Sequence, residues 1–340
     1  MMKAILPHRS GDFSLQEIAP PTLGPGDVLV EMRACGLCGT DLAKLAHRDR
    51  AQGVRLGHEL AGVVCAVGSE VTRVAMGDRV TASHHVPCGT CRACRHGNES
   101  MCPQFKTSAI DPCGFAEMIR FSPLHVAEVM FRLPESLSFE AACFTEPLGC
   151  AVRAVDRSQV LPGDRILVVG GGGMGLLIAQ TILAREAEPI VVDISAARLG
   201  LAQALGVRAV IDASRGRLPE TLAALTGGEG PDGAILTVLS QAILTDVQRV
   251  VRAGGRLTIF AGPSGDARLP LDFDDLYHRE LAVSSTYSST PATLREAFRL
   301  LADGRVKVEP LISHRLPLHA FEEGVRLQRD GMATKVLFHP

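Results

Sequence analysis

Three side chains in one short stretch define the chemistry to be explained: the thiol of Cys38, the imidazole of His58 and the carboxylate of Glu59. Sulfur, nitrogen and oxygen donors of this kind suit a tetrahedral zinc ion. Cys38 sits in Cys35-Gly36-Leu37-Cys38-Gly39, whose glycines let the backbone approach a metal closely. Thr40, two residues past the thiol, is placed to bond a substrate hydroxyl. The expected chemistry is a catalytic zinc that polarises an alcohol or a carbonyl. Glu146 is a candidate further ligand, because a carboxylate among small and apolar residues is unusual unless paired or metal-bound. It also fits a helix N-terminal acid, with Pro147 in the first turn. Cys143 and Cys150 flank it and read as core residues.

A second thiol group follows the pattern Cys88-x2-Cys91-x2-Cys94-x7-Cys102. Four thiols at this spacing wrap a metal with no open position, as in a structural zinc site. An iron–sulfur cluster is the rival, since such runs end Cys-Pro, as Cys102-Pro103 does. The long last gap and the lack of a second cluster motif count against it. The chain has ten cysteines, and Met1 to Leu6 lacks the apolar core of a signal peptide. A cytoplasmic protein is expected, in which clustered cysteines mean metal more often than disulfide.

A third motif binds rather than reacts. The apolar run Arg165 to Val169 leads into Gly170-Gly171-Gly172-Gly173-Met174-Gly175 and then a helical stretch to Arg185. Glycines at Gly170, Gly172, Gly173 and Gly175, after a strand and before a helix, permit a tight turn and bring backbone N–H groups to a pyrophosphate. A second strand ends at Asp193, whose carboxylate can accept the adenosine ribose hydroxyls and repel a 2′-phosphate, favouring NAD over NADP. Asp193 could instead be a helix cap. Arg198 could brace the adenine end or form a solvent salt bridge. Further strands near Ala209, Gly233, Arg256 and Leu281 alternate with helices, which makes a doubly wound parallel sheet in an α/β protein. Strand ends at Gly262 and at Ser285-Thr286 fall where the nicotinamide half of the cofactor is expected.

These motifs need two different supports. Residues 1 to 35 and 59 to 80 read as β-rich, and Gly114-Phe115 is expected to begin a strand, with Phe115 in the core or lining a pocket. Past Thr293 a helix, a strand near Leu311 to Ser313, a helix from Leu318 to Arg329 and an apolar strand from Lys335 to Phe338 are expected, folding back on the first domain. The length of 340 residues favours two domains. A net charge of −2 gives no case for nucleic acid, and no apolar run approaches the length of a membrane helix.

Together, in order, Cys38-Gly-Thr-Asp41, Gly57-His58-Glu59, Cys88/Cys91/Cys94/Cys102, Glu146-Pro-Leu-Gly149, Gly170 to Gly175 and Asp193 resemble the zinc-dependent medium-chain alcohol dehydrogenases. The match is nearest the polyol (sorbitol-like) and threonine dehydrogenases, because Glu146 stands where classical members carry cysteine. The resemblance implies a GroES-like catalytic domain at 1–146 and 289–340, with a structural zinc lobe at about 86–103, whose active-site cleft faces a Rossmann domain at 147–288. It implies two zinc ions per chain and NAD. The ligands would be Cys38 and His58, with Glu59 and Glu146 direct, water-bridged or exchanging. Thr40 would take the substrate proton. Homodimers or homotetramers are usual in such a family. Two departures stand out. Ala43 occupies the place of a proton-relaying histidine, with Lys44 and His47 nearby, and no arginine occurs in Thr286 to Thr290. The expected activity is NAD-linked oxidation of a secondary alcohol, a polyol, sugar or amino alcohol. L-threonine 3-dehydrogenase-type oxidation or a non-catalytic zinc- and nucleotide-binding relative are the alternatives.

Overall fold

The alternation that begins at Val28 runs on as a strand to Gly36, with Val28, Val30 and Met32 turned into the core. The computed structural model describes residues 1–8, 12–46, 54–216, 218–262 and 270–340. The expected relay candidate His47 and Pro263 lie outside the described residues. Strands β1 (Met2–Pro7) and β2 (Phe13–Ile18) form an antiparallel ribbon. β3 (Val28–Gly36), β4 (Glu59–Val67), β5 (Arg79–Ala82), β6 (Met118–Phe121) and β7 (Met130–Arg132) belong to one sheet. β8 (Arg165–Val169), β9 (Glu188–Asp193), β10 (Ala209–Asp212), β11 (Gly233–Leu236), β12 (Arg256–Ile259) and β13 (Ala282–Ser285) form another. β14 (His314–Pro317) and β15 (Val336–His339) return to the first, in the order β14-β15-β3-β4-β5-β7 with β6 on β3. Two compact units result, Met1–Gly149 with Ser289–Gly304 and Val308–Pro340, and Cys150–Ser288 with Arg305–Lys307.

In the first unit, β3 and β4 pair antiparallel with two register shifts, and β15 pairs with β3 at Leu337↔Gly36 and Phe338↔Cys35. The core is aliphatic and aromatic, with Phe115, Phe321 and Phe338 in mutual ring contact. Phe115 is therefore core, and the strand in its region is the later β6. A single turn of 3-10 helix occupies Glu309–Leu311, with Pro310 fixing φ and lacking an N–H for a ladder, and the strand expected there starts at His314.

The second unit is a parallel sheet in the order β10-β9-β8-β11-β12-β13, the doubly wound arrangement. Its central strands are nearly continuous apolar runs because both faces are covered. Arg305–Lys307 join it through the Gln180 side chain, which accepts from Lys307 N and donates to Lys307 O. No described helix is long and apolar enough to cross a membrane.

Candidate active site and metal centres

Cys38 follows β3 and precedes the helix Gly39–Ala46, while His58 and Glu59 lead into β4 beside it. Pairing Gly36 with Glu59 brings the two segments together. One donor atom from each of Cys38, His58 and Glu59 lies within 4.8 Å of the others. Gly57 makes the turn with φ of 76°, and a Cβ there would strike the backbone of Gly114 and Phe115. Its N–H donates to Asp41 Oδ1 at 3.0 Å, and the N–H of Cys38 donates to Asp41 Oδ2 at 3.1 Å. Fully buried Asp41 thus fastens both ligand segments and also faces His58 Nδ1 at 3.5 Å, too far for a well-formed hydrogen bond. Burial opposes charge on both partners. For His58, Asp41 and then Cys38 outweigh it and push the imidazole well above its usual pKa. A metal needs the neutral ring, so loading this group releases a proton.

Glu59 has a partner that the sequence pattern did not reveal. Lys335 Nζ donates to Glu59 Oε2 at 2.6 Å, to Oε1 at 2.9 Å and to Leu37 O at 3.2 Å, all in the interior. Burial works against the ammonium, but Glu59 and then Cys38 raise its pKa. A lysine within the apolar run Ala333 to Phe338 was the available signal. Glu146 is buried at the start of the helix Thr145–Arg157, outside the three-donor group, and its charge reaches Lys335. Thr40 lies exposed in the first turn of Gly39–Ala46. Ala43 is exposed, and Lys44 Nζ is engaged by Arg55 O at 2.9 Å. Cys143 is buried, its thiol directed to Ala34 O. His84 was also missed, although its place beside His85 just before Cys88 was visible. Its ring lies 4.7 Å from that of His58.

Cys88, Cys91, Cys94 and Cys102 likewise place their sulfurs within 4.8 Å of one another. Backbone N–H groups already point at sulfur, from Cys91 to Cys88 at 3.3 Å and from Cys88 to Cys102 at 3.4 Å. Bonds from the Thr90 backbone and hydroxyl, and from Cys91 N–H, pull Cys88 down to about 6, toward the thiolate a metal requires. Four sulfurs closing on one point with N–H support fit a structural zinc. All ten cysteines are free thiols.

In the other unit the nucleotide motif lies at the carboxyl ends of the strands. Gly170 turns with φ of 100°, and a Cβ on Gly175 would run into the carbonyl of Gly170, so the helix Gly173–Ala184 packs directly on β8. Gly172 is the N-cap of that helix, and Met174 lies half-buried in its first turn. Asp193 ends β9 and accepts from Gly171 N at 2.7 Å and Ser195 N at 2.8 Å, with Arg198 Nη1 at 3.6 Å. Gly262 follows β12, Ser285 ends β13 and Thr286 comes directly after it, with the Thr286 hydroxyl buried and unpaired. Thr237 was not anticipated. It follows β11 directly and donates through its hydroxyl to Val169 O at 2.8 Å.

Comparison with known proteins places this geometry. Residues 24–131 match the alcohol dehydrogenase GroES-like domain, and residues 173–303 match the zinc-binding dehydrogenase domain. An L-threonine 3-dehydrogenase of Bacillus velezensis is 32% identical, over 100% of this chain and 99% of its own. A sorbitol dehydrogenase of Bacillus subtilis is 29% identical, over 100% and 97%. A Sinorhizobium meliloti structure described as a zinc-binding dehydrogenase, bound to NADP, superposes with a TM-score of 0.91 at 29% identity, over 100% and 99%. The chain belongs to the zinc-dependent medium-chain alcohol dehydrogenase family. It is an oxidoreductase of CH–OH groups that uses zinc and a nicotinamide dinucleotide.

Proposed function

We propose that this enzyme oxidises a secondary alcohol bearing further polar groups, a polyol, sugar or amino alcohol, with NAD. The observation that carries the reading is the gathering of Cys38, His58 and Glu59 donors within 4.8 Å, with Thr40 exposed two residues from the thiol. A zinc ion held by Cys38, His58 and a carboxylate, Glu59 or Glu146, supplies Lewis acidity that lowers an alcohol's pKa, while NAD accepts the hydride. Around it the chain does the positioning. Asp41 fastens the segments of Cys38 and Gly57. Lys335 holds both oxygens of Glu59 and keeps one positive charge beside two acidic ligands. Thr40 bonds the substrate oxygen and takes its proton. With Ala43 in the relay position and Lys44 tied to Arg55 O, the exposed Thr40 passes that proton to water. The carboxylate of Asp193 favours NAD, since a 2′-phosphate would meet a like charge. The likeness to an L-threonine 3-dehydrogenase keeps amino alcohols in the substrate class. A non-catalytic role is disfavoured by the intact donor set.

Ten free thiols support a reducing compartment such as the cytoplasm. For oligomeric state the reading is a homodimer or a homotetramer, supported by the edge strand β13 with Val283 exposed and by exposed Phe273 and Tyr277 nearby in sequence.

The test is NADH production across polyols, sugars, amino alcohols and simple secondary alcohols, paired with metal counting. Two zinc per chain are expected. Cys38→Ser should abolish turnover while NAD still binds; turnover retained by this variant would remove the catalytic role from the group.

A further inference from the structure

His84 is held in an unusual way. Its side chain makes no hydrogen bond among the described residues, and its Nδ1 is buried without a partner. Rings hold it instead. The His58 ring lies 4.7 Å away, the His85 ring 3.9 Å away, and the His85 ring in turn lies 4.9 Å from Phe105. Stacked and tilted rings at such separations attract beyond their area of contact.

The far end of this ladder is anchored in the four-thiol lobe. Phe105 is buried on the short helix Pro103–Thr107, which starts immediately after Cys102. His85 Nδ1 donates to Ser108 O at 2.6 Å, and Val86 N–H donates to Ser108 Oγ at 3.0 Å. His85 and Phe105 are therefore tied to the segment that carries Cys88 and Cys102. The near end is the catalytic imidazole, whose contact with Asp41 is long at 3.5 Å and leaves its Nδ1 without a hydrogen bond. With Nδ1 not fixed by a hydrogen bond, the ring packed against its face helps to set its orientation.

We propose that the ladder Phe105–His85–His84 positions the His58 imidazole, so that the order of the four-thiol lobe sets how tightly the Cys38–His58–Glu59 group holds its metal. This rests on the metal reading of both thiol groups given above. His84, His85 and Phe105 are positioning residues. They contribute shape and ring contact, and outer partners of metal ligands typically change metal affinity by about 10–100-fold when lost.

The experiment uses the full chain with zinc kept in the four-thiol lobe and cobalt loaded at the Cys38 group. It reads the cobalt absorption bands and the rate of cobalt release to a chelator. His84→Leu removes the ring; His84→Phe keeps it and discards the nitrogens. Phe105→Leu breaks the ladder at its far end, while Phe139→Leu removes a ring that lies against Arg79 elsewhere in the same unit. Expected are shifted bands and release about ten-fold faster for His84→Leu and Phe105→Leu, with His84→Phe and Phe139→Leu like the parent. Parental bands and release in His84→Leu would overturn the proposal. A change in His84→Leu but none in Phe105→Leu would overturn the link to the lobe. A parent chain that takes up no cobalt at the Cys38 group would instead defeat the metal reading, and this proposal with it.

Discussion

Lys335 shows how far apart in sequence a reacting centre can be assembled. It stands immediately before the last strand of the chain, yet its ammonium spans both oxygens of Glu59. Both side chains are almost wholly buried, so neither has water to fall back on. Removing one member of a buried pair typically costs about 3–5 kcal/mol, because the other charge is left uncompensated. Lys335→Met should lower the stability of the metal-free protein by that amount in denaturant unfolding. Lys335→Met combined with Glu59→Gln should recover a large part of it, and an additive loss in the double variant would refute the pairing. Asp193 is the equivalent residue on the nucleotide side. Two of its lone pairs are taken by Gly171 and Ser195 N–H, which leaves capacity to accept from a ribose. Asp193→Ala should weaken NAD by about ten-fold or more and NADP much less. Asp193→Asn should keep more NAD affinity than Ala while also easing NADP; equal losses of both cofactors, measured by fluorescence titration, would contradict the ribose reading. The donor types and the Asp193 position were legible in sequence because local spacing encodes them. Lys335 and His84 were not, since β-sheet pairing and ring packing bring them in.

At the scale of elements, the parallel strands were read almost to the residue, because a buried strand is a continuous apolar run bounded by glycine or acid. The segments that failed are short and irregular. Leu311 closes a 3-10 turn, and Gly114-Phe115 is a loop fixed against Gly57 rather than the start of a strand. The stretch Ser83 to Cys88 joins both metal groups, and its histidines impose a pH limit. Burial lowers His85 to about 4, and it lowers His125 as well, whose Nε2 donates to His84 O while Ser122 Oγ donates to its Nδ1. Both rings are neutral when folded but bind protons near their usual pKa when unfolded. The unfolded chain then holds more protons from about pH 6.5 down to about 4. Stability should therefore fall as pH drops through that window. With zinc in excess, the thermal midpoint should decrease between pH 7 and pH 5, and a His85→Gln, His125→Gln variant should show a shallower decrease. Identical slopes would show that these rings do not carry the effect.

For the whole molecule, composition pointed to a large globular chain, but any self-association would be written on a surface, which periodicity cannot report. β13 is the last strand on one side of the six-stranded sheet, and one of its edges has no neighbour among the described residues. Such an edge presents free backbone N–H and C=O groups and invites pairing. Here it is not protected by charge. Ala282 and Val283 are exposed on the strand itself, and the preceding helix Phe273–His278 exposes Phe273 at 75% and Tyr277 at 79%. On the proposed homodimer or homotetramer reading, a second copy would bury these apolar groups, with the edges of two β13 strands meeting about a two-fold axis. Val283→Asp puts a charge where two copies of the strand would meet, and like charges brought face to face oppose association. Sedimentation at micromolar concentration should show a dimer or tetramer for the parent and a shift toward smaller species for Val283→Asp, with metal content unchanged at two per chain. A parent that sediments as a monomer, or a variant whose association matches the parent, would exclude this edge as the interface.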